Sequence, residues 1–329
     1  MLYLHGVGHF HPENIITNQF LVDLDIGTTE EWIIERVGIQ TRHTVLSLDY
    51  IKTTKNRDPR GAREASLYTH AQTGAAAALL AIERAGIKKE DIGLVIAGSS
   101  VPDYVTPAQA SVVAAELGVD APCFDLHCAC ATFAMQINVL DRMRPEALPP
   151  FVLIVQPESV THAMDFSDRR AAVLFGDGSA AAVVSSSVPS RRTVIASDCG
   201  SNPAKWDAVM VPRMDFFSQE GSLVQGFAIR KTTELLSMMQ SSIQRNYGRF
   251  KFIGHQANMG MLQTVCDRIG INECDHWQNV VEYGNTACAG APSVLSQHWD
   301  ELQPGDHVAI AVVGGGLTWA HVLLRVEEA

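Results

Sequence analysis

The sequence lacks any run of about 18 consecutive apolar residues, the length a helix needs to cross a bilayer. Its first residues, Met1-Leu2-Tyr3-Leu4-His5-Gly6, show no basic region followed by an apolar one, so no signal peptide is expected. Positive charge is scarce: Lys+Arg is 25 against 36 Asp+Glu, a formal net charge of −11 over 329 residues. An acidic chain without a basic stripe is a poor binder of nucleic acid or of anionic membranes. The seven cysteines are odd in number and scattered through apolar segments, which argues against a disulfide framework and for reduced thiols in a cytoplasmic protein. Metal-ligand spacing is missing as well. Cys128 and Cys130 form C-x-C, not C-x-x-C, and no second pair follows, so no metal site is expected. What is present is a globular composition, 47% hydrophobic and 19% charged. The length fits about two structural units around one substantial core.

Strand alternates with helix along the chain. Gly93–Ser99, Phe151–Val155 and Val308–Val313 are short apolar runs that read as buried strands. Thr193–Ser197, Phe250–Ile253 and His321–Val326 read as further strands. Ala171–Phe175 runs into the turn Gly176-Asp177-Gly178, and Ser179–Val184 resumes strand character. Helices are predicted over Thr73–Ala85, Leu223–Tyr247, Met259–Ile269 and Pro107–Gly118, the last with Thr106 as N-cap and Pro107 in its first turn. Strands apolar on both faces need helices on both sides. The polar stretch Ser185–Arg192 divides the chain into halves, 1–185 and 186–329, whose similar rhythm fits an internal duplication.

Three segments place reactive residues at turns between a strand and a helix. In Phe124–Phe133 a strand ends near Asp125 and a helix begins near Cys130. A thiol there sees the positive end of the helix dipole and free backbone N–H groups, which favour thiolate. Taken alone, the same segment fits a buried core cysteine. His255, in Gly254-His255-Gln256-Ala257-Asn258, sits at the carboxyl end of a strand, where α/β sheets place their sites, though a lone histidine there also fits a hydrogen-bonded core residue. Tyr283-Gly284-Asn285-Thr286-Ala287 by itself reads as a turn.

Taken together, these segments resemble the β-ketoacyl-acyl carrier protein synthase III group of the thiolase-like superfamily. Ala129-Cys130-Ala131-Thr132-Phe133 is similar to its nucleophile motif A-C-A-G-F, residues 255–258 match H-Q-A-N, and Gly284-Asn285-Thr286-Ala287 is similar to G-N-T-S. Glu31–Ile39, Asp168-Arg169, Phe175–Gly178 and Gly314-Gly315-Gly316-Leu317-Thr318-Trp319 resemble further family motifs, so the likeness spans nearly the whole chain. It implies an α/β fold of five layers, α-β-α-β-α, built from two duplicated halves. It implies a homodimer with a Cys130–His255–Asn285 triad and an oxyanion hole from the N–H groups of Cys130 and Gly315. Acyl-CoA enters as substrate, so no cofactor is implied. The partner thioester is malonyl, on acyl carrier protein or CoA.

By the same resemblance Trp32, Arg36 and Arg169 contact CoA. Stacking of a purine on indole and guanidinium faces is reasonable chemistry, although Glu31-Trp32-Arg36 also reads as an exposed helix face. Thr106 stands where short-chain members carry a Phe that closes the acyl tunnel at the dimer interface, which leaves room for a larger acyl group. Olefin-forming relatives carry a glutamate base at that position, so the threonine argues against their chemistry. His127 and Cys128 replace small residues before the nucleophile and are candidates for the acyl pocket.

Gly226, Gly260 and Asp267 stand at positions often basic in the family and tied to carrier-protein docking, which weakens that complementarity. The stretch 47–67 is longer than usual and reads as a solvated loop, or as an excursion near the pocket entrance. Two other readings remain at this point. An acyltransferase would pass the acyl group to an alcohol or amine, with His255 as general base. A degenerate subunit would only bind acyl-CoA.

Overall fold

The computed structural model describes residues 1–213, 215–243 and 249–328. Ten strands form one mixed sheet system. From one end, the strands of the first part of the chain run Cys123–Asp125, Ile92–Ala97, Phe151–Glu158, Gly178–Ser185 and Leu2–Phe10. Arg192–Ser201, Thr318–Val326, His307–Gly314, Phe250–Gly254 and His276–Trp277 continue the order. Each set of five follows the same rule: the three strands farthest from the junction are mutually parallel, and the next two pairings are antiparallel. The two sets meet only where Leu2–Leu4 pairs with Arg192–Val194.

Helices cover both faces of both sets, as strands buried on both faces require. The alanine-rich helix His70–Ala85 and helix Gln109–Leu117 pack outside the first set, around Val95, Val155 and Val183. Helices Gly221–Ser242 and Met259–Ile269 pack outside the second, around Phe252, Leu262 and Leu323. Between the two sets lie Thr132–Arg142 and Gly290–Gln297, whose Phe133, Ile137, Val294 and Leu295 share a core with Ile154, Val184, Ile310 and Val322. The result is the five-layered α-β-α-β-α, thiolase-like arrangement.

Most elements form where the sequence predicts, and the differences have physical causes. Helix Met259–Ile269 has the predicted bounds, because Asn258 caps the Met261 N–H at 3.0 Å and Gly270 ends it in the left-handed region at φ 74°. Helix His70–Ala85 starts three residues before the predicted Thr73, at a capping box in which Thr69 and Gln72 exchange hydrogen bonds. The helix predicted from Pro107 begins instead at Gln109, and Thr106 does not cap it. Its first N–H groups, of Gln109 and Ala110, donate to the Asp125 carboxylate at 2.7 and 2.9 Å, a cap supplied from another element. Ala171 and Ala172 lie in the short helix Arg169–Ala172 rather than in a strand. The predicted helix 223–247 is seen as Gly221–Ser242, and positions 244–247 lie outside the described residues.

The 47–67 stretch is not a solvated loop. It holds helices Leu48–Thr54 and Pro59–Ala62 and is pinned by fully buried Asn56, whose amide donates to the carbonyls of Thr161, His162 and Met164.

A buried carboxyl group ties the chain just before this segment to the sheet. Asp177 accepts from the amides of Val45 and Thr161 at 2.8 and 2.9 Å and from the hydroxyls of Thr44 and Thr161. Burial pushes its carboxyl up to about 6, against these donors. Asp177→Ala would leave the two amides and one of the hydroxyls buried and unpaired, since the Thr44 and Thr161 hydroxyls lie 2.9 Å apart and can bond to each other. It is expected to lower unfolding free energy by about 3 kcal/mol, read from urea denaturation.

Candidate active site

Cys130, His255 and Asn285 come from three separate turns and line one cavity of about 860 Å³. Cys130 precedes helix Thr132–Arg142 by two residues. The turn is tight. Ala129 has φ 44°, the Ala131 and Thr132 amides donate to the carbonyls of Cys128 and Ala129, and Thr132 Oγ1 takes the Cys128 N–H at 2.9 Å. Strain of this kind is typical of a turn that aims a nucleophile. The glycine turn after strand His307–Gly314 closes on it: a Cβ on Gly314 would lie 2.9 Å from the Cys130 amide nitrogen and 3.1 Å from that of Ala131. Only glycine lets the two backbones meet this way. The sequence pointed to Gly315, which also lines the cavity, whereas the close approach to Cys130 is made by Gly314.

His255 follows strand Phe250–Gly254 and is 7% exposed. Burial pulls its imidazole down to about 4, so it is neutral at pH 7. Its neighbour Gln256 is fully buried and holds two loops together. The Gln256 amide donates to the Gly254 carbonyl at 2.8 Å, and its Oε1 receives the Asn279 and Val280 N–H groups at 3.0 and 3.2 Å. Those amides open the short helix Val280–Tyr283 that leads to Asn285.

Asn285 is fixed by its own backbone and that of Phe175. Its N–H donates to Leu174 O at 2.9 Å and its carbonyl receives the Gly176 N–H. Its side-chain Oδ1 accepts the Ala287 N–H at 2.9 Å, so the Nδ2 amide is the end left free to donate. Gly284, at φ 67°, is required here, because a Cβ would meet Arg42 Cγ at 2.8 Å. Arg42 is fully buried under this loop, with its guanidinium on Val173 O and Asn18 Oδ1. Burial pulls it down to about 9.

The electrostatics of Cys130 correct the sequence-based expectation of a thiolate. Burial, then the charge of Glu158, push the Cys130 thiol up to about 12, against the pull of its own backbone amide. The resting side chain is a thiol. Its alkylation by iodoacetamide is therefore expected to rise about tenfold per pH unit from pH 7 to 9 with no plateau, since thiolate is the reactive form and stays a minor species below its pKa. A plateau already reached at pH 7 would contradict this.

The other predicted residues divide. Trp32 and Arg36, on helix Glu30–Val37, line the cavity, as do His127 and Cys128. Arg169 does not line it; Asp168 and Arg170 do. The Arg169 guanidinium stacks on Trp32, 4.7 Å from the ring centroid, and donates to the Gly27 carbonyl. A base held between the two faces needs a separation of about 7 Å, two van der Waals contacts, so Arg169 must swing aside to admit one. Thr106 is exposed beside Tyr104 and Val105 and does not line the cavity of its own chain, because the helix behind it starts only at Gln109. Sequence reasoning missed Glu158, Gln256, Arg42 and Gly314's contact with the nucleophile.

Among the described residues no group of three or more His, Cys, Asp and Glu is arranged to hold a metal ion, and no helix is long and apolar enough to cross a membrane.

Comparison with known proteins agrees with this geometry. The family models for 3-oxoacyl-[acyl-carrier-protein (ACP)] synthase III and for its C-terminal part match residues 124–203 and 250–326. The β-ketoacyl-[acyl-carrier-protein] synthase III of Sulfurovum sp. (strain NBC37-1) is 31% identical, over 97% of this chain and 94% of its own. The crystal structure of 3-oxoacyl-[acyl-carrier-protein] synthase III from Aquifex aeolicus VF5 superposes with a TM-score of 0.86 at 26% identity, covering 99% of this chain and 100% of that one. The priming β-ketosynthase of the R1128 polyketide biosynthetic pathway does so at 0.83 and 25%, covering 100% and 97%. The chain belongs to the β-ketoacyl-acyl carrier protein synthase III family of condensing enzymes.

Proposed function

We propose that the protein is acylated on Cys130 by an acyl-CoA and extends that acyl group by decarboxylative Claisen condensation with a malonyl-type thioester. The observation that carries this reading is the shared cavity of a thiol, a neutral imidazole and an amide whose NH₂ end is free. In the first half-reaction the Cys130 sulfur bonds to the acyl carbon and the bond from that carbon to the CoA sulfur breaks. The thiol proton leaves on the CoA thiol, and neutral His255 is the base that can carry it between the sulfurs. The N–H groups of Cys130 and Gly315 stabilise the tetrahedral oxyanion.

In the second half-reaction the malonyl carboxylate departs as carbon dioxide, and its electron pair passes to the enolate. His255 and the Asn285 NH₂ donate to the enolate oxygen. The carbanion then attacks the acyl carbon and expels the Cys130 thiolate, which takes a proton from water. The acid–base inventory suits this role, since a neutral imidazole can donate without an ion pair to break.

CoA contacts fall to Trp32 and Arg36, with Arg169 opening from its stack on Trp32. The exposed Gly226, Gly260 and Asp267 carry no positive charge where the resemblance implies basic residues, which weakens complementarity to an acidic carrier protein and leaves room for CoA as the malonyl carrier. A specialised fatty acid or polyketide pathway in the cytoplasm fits that departure. Release of labelled carbon dioxide from malonyl-CoA, dependent on acyl-CoA, tests the reading. Transfer of the acyl group to an alcohol or amine without carbon dioxide would replace it with the acyltransferase alternative.

A homodimer completes the proposal. Cys123–Asp125 is the edge strand of the sheet, paired on one side with Ile92–Ala97, and exposed Phe124, Tyr104 and Val105 surround it with apolar surface. Thr106 lies on the same surface and would face the partner's acyl tunnel. Phe124→Glu is expected to shift the protein from dimer to monomer in sedimentation velocity, and an unchanged dimer would place the interface elsewhere.

A further inference from the structure

The strands Phe151–Glu158, Ile92–Ala97 and Cys123–Asp125 are adjacent and parallel, so their carboxyl ends open on one edge of the sheet. Ala97 pairs with Asp125, the Leu126 N–H donates to Ala97 O at 2.8 Å, and a Cβ on Gly98 would fall 2.6 Å from Leu126 O. Ser100 and His127 therefore leave neighbouring strands within three residues of a paired position. Both line the cavity that holds Cys130.

Glu158 fixes this edge. Its Oε1 receives the Ser100 N–H and the Cys288 thiol, each at 2.8 Å, and its Oε2 receives the Ser99 hydroxyl at 3.2 Å. The Ser100 hydroxyl is buried and meets no partner among the described residues. Buried hydroxyls are seldom left so. His127 is exposed to the cavity, and its Nε2 lies 3.4 Å from the Ala129 amide nitrogen. A backbone N–H can only donate, which assigns the imidazole proton to Nδ1. The cavity wall thus carries one donor open to a ligand, the His127 Nδ1–H, and a buried Ser100 hydroxyl still without a partner, in a cavity whose lining also includes Val160, Phe175 and Ala287. A wholly apolar acyl chain would desolvate the imidazole donor without pairing it and leave the buried hydroxyl unpaired, and sites built to hydrogen-bond a substrate discriminate strongly against analogues that lack the group.

We infer that the acyl-CoA taken by this protein carries an oxygen acceptor on its acyl chain, a hydroxyl, keto or carboxylate oxygen, with Ser100 and His127 as the specificity-determining residues. This rests on the acyl-CoA reading above. The step measured is acyl transfer to Cys130, with the CoA thiol as leaving group.

The test compares the initial rate of acyl-enzyme formation, by intact mass, for butyryl-CoA, 3-hydroxybutyryl-CoA, acetoacetyl-CoA and succinyl-CoA. All four carry four-carbon chains. At least one oxygenated thioester is expected to react on the order of tenfold faster than butyryl-CoA. His127→Leu and Ser100→Ala each lose most of that ratio, whereas His127→Gln, which retains an N–H donor, keeps it. Melting temperature and iodoacetamide stoichiometry identify any variant that fails to fold. Butyryl-CoA reacting as fast as the other three, or a ratio unchanged in both His127→Leu and Ser100→Ala, overturns the inference and leaves the acyl-CoA reading intact. No acylation by any of the four, with Cys130 still open to iodoacetamide, overturns both.

Discussion

Asn285→Ala is expected to slow carbon dioxide release from malonyl-CoA by about 100–1,000-fold while changing the rate of Cys130 acylation only a few-fold. The asymmetry follows from where charge develops. Acylation builds negative charge on the acyl-CoA carbonyl, which is met by backbone amides. In the proposed mechanism decarboxylation builds it on the malonyl thioester oxygen, which the Asn285 NH₂ and His255 serve. Losing one such preorganised donor typically costs two to three orders of magnitude. The side chain's Oδ1 is already occupied by Ala287 N–H at 2.9 Å, so Asn285→Asp would present an acceptor where a donor is needed and is expected to be at least as damaging. Equal loss in both half-reactions would mean that Asn285 supports the fold of the site and not the enolate.

Gly314→Ala should produce the complementary pattern, with both half-reactions depressed by about 100-fold or more. The added Cβ would stand 2.9 Å from the Cys130 amide nitrogen, and the neighbour it meets is backbone at a turn already strained at Ala129, which has no side-chain freedom with which to yield. The glycine turn and the nucleophile loop must separate. That displaces the N–H donors proposed to serve the tetrahedral intermediates of acylation and of condensation alike, and small misplacements at such sites carry large rate costs. Separate measurement of acyl-enzyme formation and of carbon dioxide release distinguishes this pattern from that of Asn285→Ala. Wild-type rates in Gly314→Ala would remove the glycine turn from the oxyanion hole.

The legible part of the site is local in sequence. Cys130, His255 and Asn285 each sit in a turn whose own residues announce it, and Asn258 and Gly270 mark both ends of helix Met259–Ile269 within the chain. What was not legible depends on distant partners. Glu158 ends an apolar strand and reads as its polar terminus until Ser99, Ser100 and Cys288 surround it. Nothing near Arg42 in sequence marks it, because its partners are Asn18 and the Val173 carbonyl, the latter 131 residues away. The start of helix Gln109–Leu117 was misplaced because its cap, Asp125, comes from the next strand. The thiolate expectation failed for a related reason. Helix position is a local property, whereas burial and the Glu158 charge arrive only with the fold.

Glu158 also links the nucleophile's reactivity to the acyl-pocket wall. Gln can keep its hydrogen bonds, with the amide oxygen taking Ser100 N–H and the NH₂ reaching the Ser99 hydroxyl. Removing the charge lets the Cys130 thiol ionise more readily, so alkylation at fixed pH should be faster in Glu158→Gln than in the wild type.

Intact-mass spectrometry of the purified protein, after incubation with CoA thioesters of graded length and polarity, is the most direct measurement of the central claim. One acyl group per chain should appear, map by peptide fragmentation to Cys130, be absent from Cys130→Ala, and disappear with carbon dioxide release when malonyl-CoA is added. An unmodified mass across the whole series, or an adduct on any other cysteine that survives in Cys130→Ala, would contradict it.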